Sequence, residues 1–155
     1  MKPATNDIGQ NMILEYREAP GFDATAERNR SLITDALEGL LEGDSEALWR
    51  IFDSDVTFYE ASCLPYGGSH RGIEATKAAF ARLHDCFSAM HSRMEAVLAS
   101  RDVVVAYQTI TFTAKATGKS GTLTVCELFR FRDDKVIEWR AHYLDACLVA
   151  SAFKN

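Results

Sequence analysis

The chain has 155 residues, 47% of them hydrophobic and 25% charged, with a formal net charge of −5. That length is enough for one domain whose core needs no metal or disulfide staple, and the composition argues against disorder, internal repeats and low-complexity tracts. No run approaches the roughly 18 apolar residues that span a bilayer, and no basic stripe with interleaved aromatics is present, so neither membrane nor nucleic acid is an expected partner. The first residues lack the apolar core of a secretory signal, and a cytoplasmic location is the expectation. Four cysteines, Cys63, Cys86, Cys126 and Cys147, form no CxxC pair. They read as free thiols rather than as a metal site.

Residues 1–23 hold two of the three prolines and no sustained periodicity. They read as an N-terminal arm with a short extended piece at 12–16, ahead of a domain over 24–155. From Ala24 to Glu42 the set Leu32, Ile33, Ala36, Leu37, Leu40 and Leu41 repeats at three and four, which predicts an amphipathic helix stopped by Gly43. A second helix starts at Ser45, capped by Asp44 or Ser45 itself. From Asp55 the period changes to two, and Val56, Phe58 and Glu60 share one face of a strand.

Pro65, Gly67, Gly68 and Gly72 then demand a tight loop between Cys63 and Gly72. A third helix is predicted over 73–90, with Ile73, Thr76, Phe80, Leu83 and Phe87 on its buried stripe. His84 falls at the edge of that stripe, either as a boundary histidine or as a contact to whatever the stripe faces. The remaining chain is β-branched and aromatic, which predicts strands over 91–99, 103–115, 121–132 and 135–145 joined by short turns. Helices followed by an antiparallel meander make an α+β domain, three N-terminal helices covering one face of a curved, mainly antiparallel sheet.

Three carboxylates interrupt apolar rows. Glu60 ends the Val56, Phe58 row. Glu127 sits among Leu123, Val125, Phe129 and Phe131, and Asp145 follows Ile137, Trp139, Ala141 and Tyr143 if that strand has no bulge. A carboxyl in low dielectric has its pKa raised, so one of two unlike carboxyls can donate a hydrogen bond to a developing oxyanion while the other removes a proton from carbon. Each could equally pair with an arginine such as Arg130 or Arg140.

The GD at Gly43 and Asp44, Phe52 before DVTFYE, the PYGG loop leading to RGIEA, and FRFRDDKVIEWRAHYLD together resemble the nuclear-transport-factor-2-like superfamily, over roughly residues 28–149. This is the cone-shaped, cystatin-like α+β fold of ketosteroid isomerase, limonene epoxide hydrolase and SnoaL-like polyketide cyclases. The resemblance to ketosteroid isomerase implies Glu60 as general base and Glu127 as the protonated oxyanion donor. Ala36 stands where that family has its other donor, a tyrosine, so Tyr66, Tyr107 or Tyr143 would have to substitute. The Y-x-D at Tyr143 to Asp145 is similar to the closing strand of the cyclases and implies an acid or base role for Asp145.

The function so implied is a cofactor-free isomerase, cyclase or lyase acting on a small apolar carbonyl compound. Phe58, Val125, Phe129 and Trp139 would line the cone, with Tyr66, His84, His142 and Tyr143 as further contacts. The alternative is a non-catalytic binding or docking module of the same fold. The outer sheet face, with Thr124, Leu128 and Leu144, is apolar enough to expect a homodimer.

Overall fold

The change from helical to alternating periodicity marks the boundary between two layers. The computed structural model describes residues 23–155. The expected arm and its extended piece at 12–16 lie outside them, apart from Asp23, which caps the first helix by accepting from the Thr25 N–H at 2.8 Å.

Helix α1 (Ala24–Leu41) buries Ile33, Ala36 and Leu37 on one face. Gly43, at φ +94°, makes the left-handed turn that a side chain would oppose. Helix α2 (Ser45–Arg50) starts from Asp44, whose carboxylate accepts from the Ala47 N–H at 3.2 Å. Strand β1 (Phe52–Glu60) begins three residues before the expected Asp55, because Phe52 already pairs with Val136 across a register shift that separates it from Thr57.

A four-residue strand β2 (Gly68–Arg71) lies inside what the sequence predicts as loop, antiparallel to β1 with Gly68 opposite Glu60. A Cβ on Gly67 would fall 2.1 Å from the Ala61 carbonyl oxygen, so only glycine closes the turn that brings Tyr66 back over β1. Helix α3 (Ile73–Asp85) stops short of residue 90, since Phe87 is already in the sheet opposite Ala114. Thr76 and Ala79 are its fully buried positions, with Phe80 packed partly buried beside them.

Four long strands complete the sheet: β3 (Phe87–Ala99), β4 (Val103–Ala114), β5 (Ser120–Arg132) and β6 (Lys135–Tyr143). The order is β2-β1-β6-β5-β4-β3, antiparallel throughout except for the parallel β1/β6 pair. Asp133 and Asp134, at φ 49° and 64°, form the two-residue turn between β5 and β6, a tight turn matched to the twist of the strands. The strand prediction runs past the end of β6. A short helix α4 (Ala146–Ala152) follows instead, and its Val149 packs under the sheet.

Apolar residues of the inner sheet face meet the helices in two clusters. One is centred on Ile33, Phe58, Phe129 and Trp139, the other on Tyr66, Phe112, Val125 and Val149. Among the described residues no helix is long and apolar enough to cross a membrane.

Candidate active site

Between these two clusters lies a cavity of about 470 Å³, walled by the inner sheet face, α1 and α3. Leu37 and Leu40 of α1, Leu83 of α3 and Met90 and Met94 of β3 make most of it apolar. Set into this lining are Glu60, Glu127, Tyr66, Tyr143, Gln108 and His84. A concave, mostly apolar space with a few converging polar groups is the usual form of a small-molecule site.

The strand pairing explains how Glu127 reaches the cavity. Directly across from it stand the small residues Ala106 on β4 and Ala141 on β6. Its diagonal neighbours are polar or aromatic: Val125 pairs with Gln108, and Phe129 with Trp139. Burial pushes the Glu127 carboxyl up to about 7, while the nearby Gln108 and Trp139 hold it down; the Trp139 indole N–H makes no hydrogen bond among the described residues. The accessible surface it retains faces the cavity, which accounts for its being only half-buried while protein surrounds it.

Glu60 is 8% exposed, and its Oε2 has no hydrogen-bond partner among the described residues. Burial pushes this carboxyl to about 8. The neighbouring Tyr143 hydroxyl pulls it down, the Glu127 charge pushes it further up, and the Ala61 backbone N–H pulls it down again. The Tyr66 and Tyr143 hydroxyls stand 3.5 Å apart, and burial raises the pKa of both, so both remain phenols at neutral pH. Burial lowers that of His84, whose ring meets Phe80 edge-on at 4.5 Å. Trp139 is held in place by Phe58 and Phe129, stacked on it at 4.2 and 5.6 Å.

Of the residues the sequence singles out, Glu60, Glu127, Tyr66, His84, Val125, Trp139 and Tyr143 come together on the cavity wall. Phe58 and Phe129 are fully buried behind Trp139 and support it rather than line the space. Three side chains fall elsewhere. Asp145 does not join the carboxylates, because β6 ends at Tyr143 and Asp145 is the exposed N-cap of α4, accepting from the Leu148 N–H at 2.9 Å. His142 and Tyr107 lie on the opposite sheet face, each paired with Cys126, with Tyr107 40% exposed. A bulge does occur in β6, but early: the register steps from Arg130–Glu138 to Phe131–Val136, so Val136 takes the inward place expected of Ile137. Trp139, Ala141 and Tyr143 keep theirs.

Gln108 is the participant that sequence reasoning passed over. It interrupts the row Val104, Ala106, Ile110, Phe112 on β4 just as Glu127 interrupts its own, and it is 6% exposed. Its amide oxygen accepts from the Ser92 hydroxyl. Among the described residues no three His, Cys, Asp or Glu side chains are grouped as metal ligands.

Helices over one face of a six-stranded curved sheet, with a cone-like cavity between, define a protein of the nuclear-transport-factor-2-like fold class. The SnoaL-like domain matches residues 33–139, and the chain belongs to that family. No curated protein matches the sequence. Among solved structures, Bal32a from a soil-derived mobile gene cassette is 25% identical, with 84% of this chain and 99% of that one covered and a TM-score of 0.75. A nuclear-transport-factor-2-like protein of Burkholderia thailandensis is 20% identical over 82% and 98% of the two chains, with a TM-score of 0.76. A protein of Jannaschia sp. assigned as a SnoaL-like polyketide cyclase is 16% identical over 88% and 99%, with a TM-score of 0.75.

Proposed function

We propose that this protein processes a small, largely apolar carbonyl compound by acid–base chemistry between Glu60 and Glu127, as an isomerase, cyclase or lyase. The observation that carries the reading is two carboxyls on one apolar cavity, both raised by burial and neither paired with a cation among the described residues. Two groups that titrate near pH 7 in an apolar cavity can exchange roles as proton acceptor and hydrogen-bond donor within one turnover. Tyr143 and Tyr66 add phenol donors beside Glu60, which offsets the alanine at position 36. The likeness to a protein assigned as a polyketide cyclase supports the same class of carbonyl chemistry.

The minimal reaction of such a site is removal of a proton from carbon next to a carbonyl. It is measured as deuterium uptake from D2O into 2-tetralone and other apolar ketones. The wild-type protein is expected to accelerate uptake, and the double variant Glu60→Gln, Glu127→Gln to lose about 10²-fold or more of that acceleration. An unchanged rate in the double variant overturns the enzymatic reading and leaves a binding cavity.

A further inference from the structure

The two carboxyls belong to a longer polar line across the sheet. Glu127 stands between Ala106 and Ala141, and the parallel β1/β6 register, continued one step beyond Tyr59–Arg140, brings Glu60 level with Ala141. Glu60, Ala141, Glu127 and Ala106 therefore form one row over β1, β6, β5 and β4. The next row along holds Tyr143, Val125, Gln108 and Met94. Apolar rows flank them, with Trp139 and Phe129 on one side and Leu123 and Ile110 on the other. The polar groups thus run as a belt, from Glu60 and Tyr143 past Glu127 to Gln108 on β4 and Ser92 on β3.

The Gln108 end of this belt differs in kind from the carboxyl end. Gln108 carries no charge, is 6% exposed and lines the cavity. Among the described residues its side chain is hydrogen-bonded to Ser92 alone, whose hydroxyl donates to the amide oxygen. Ser92 is its diagonal neighbour across the strands, since Met94 pairs with Gln108 and Ser92 with Ile110. The contact fixes the amide by its acceptor and leaves the NH2 free to donate. That NH2 is not sealed off from the cavity as the Trp139 indole N–H is. It has two hydrogens, so a turn toward the neighbouring Glu127 still leaves one for a ligand. A ligand that covers it with hydrocarbon removes its water and returns nothing, whereas an acceptor oxygen replaces that water.

We propose that Gln108, positioned by Ser92, is a specificity determinant that selects ketones carrying a second acceptor oxygen on the side of the molecule away from the reacting carbonyl. The inference rests on the carboxyl-pair reading above for the place of reaction, and it narrows the substrate class. A carbonyl held between Glu60 and Glu127 lies over Ala141, two strand spacings or roughly 10 Å from the β4 backbone. The Gln108 side chain takes up part of that distance, and a body of two fused six-membered rings fills the rest. The cavity, at about 470 Å³, has room for such a body. The second oxygen then faces the β3 side, where the exposed residues Leu41, Ser88 and Ala89 rim the opening, so a substituent on it extends outward.

Isothermal titration calorimetry with 5-, 6- and 7-methoxy-2-tetralone, each against the ethyl compound substituted at the same position, tests the selection without turnover. In each pair a methylene replaces the ether oxygen and little else changes. The wild-type protein is expected to bind at least one methoxy isomer about three- to tenfold more tightly than its ethyl counterpart. Gln108→Leu should bring that ratio to about one, through loss of the donor. Ser92→Ala, which frees the amide to rotate, should lower the ratio by less, and serves if the leucine variant does not fold. Ratios taken within one variant cancel any general loss of affinity. The same preference should show in KM for deuterium uptake. No preference by the wild-type protein for any isomer, or a ratio unchanged by these substitutions, overturns the assignment. Full uptake in the double variant Glu60→Gln, Glu127→Gln would instead overturn the carboxyl-pair reading, while the calorimetric ratio still decides the role of Gln108.

Discussion

Glu127 on β5 and Glu138 on β6 are glutamates of neighbouring strands that lie on opposite faces of one sheet. Glu138 accepts from Arg140 at 2.7 and 3.2 Å and has Arg130 at 3.8 Å, and these partners hold its carboxyl below the usual range. Arg140 in turn lies over the Tyr59 ring at 4.0 Å. Glu127 has alanines across from it and, among the described residues, no Lys or Arg on the cavity wall, and its carboxyl is pushed the other way. The same side chain thus becomes a fixed anion beside arginines on one face and a group poised to titrate on the apolar cavity of the other. Company sets its chemistry, and the pleat decides the company.

Four measurements would break or sharpen this contrast. Phe58→Ala should have the largest effect. It removes the ring stacked on Trp139, should cost about 3 to 5 kcal/mol in denaturant unfolding, and should lower the Glu127 titration as water enters. A Glu127 titration that stayed raised in a folded variant would show that dryness is not what raises it.

Glu60→Gln comes next, read as stability against pH. The folded Glu60 keeps a proton that the unfolded chain has lost above 4.5, so stability falls as pH rises from about 4.5, and the loss is complete beyond about 8. At pH 9 the glutamine variant should therefore be more stable than wild type by a few kcal/mol, bounded by about 5, with the difference vanishing near pH 4. A variant equally or less stable at pH 9 would mean that Glu60 is compensated inside the fold.

Asp145→Ala should cost about 1 kcal/mol through loss of the α4 cap while deuterium uptake stays unchanged, since the carboxylate is outside the cavity. Loss of uptake would return Asp145 to the site. Glu138→Gln should change least, below about 1 kcal/mol, because its arginines are about two-fifths exposed and screened by solvent. Its sign is opposite to that of Glu60. A carboxylate whose value is lowered stabilises the fold above its unfolded pKa and loses that contribution as pH falls through the folded one.

Much of this arrangement is legible in the chain as written. Period-two alternation places Glu60 and Glu127 on apolar rows, and both do face the cavity. Reading the same signal at Gln108 would have added the group that contacts Glu127. Asp145 shows where alternation stops being informative: a strand end has no local mark when the next residues, Ala146 to Ala152, are small and apolar enough for helix or strand. Helix α3 ends early for a related reason, because Phe87 satisfies both a helical stripe and a strand, and pairing with β4 decides between them. Strand β2 is too short to have a period, and it exists because β1 offers it backbone partners.

Local pattern, then, was sufficient for the α+β class, the long strands and the two buried carboxyls, since burial of one face imposes a period that residues only a few places apart record. The roles within the site depend on contacts between residues far apart in the chain. Which donors surround Glu127, why Tyr143 and Tyr66 gather at Glu60, and why His142 and Tyr107 look outward follow from strand register and from a bulge near residue 137. Register is settled by the packing of whole elements against each other, and no short window of sequence contains it.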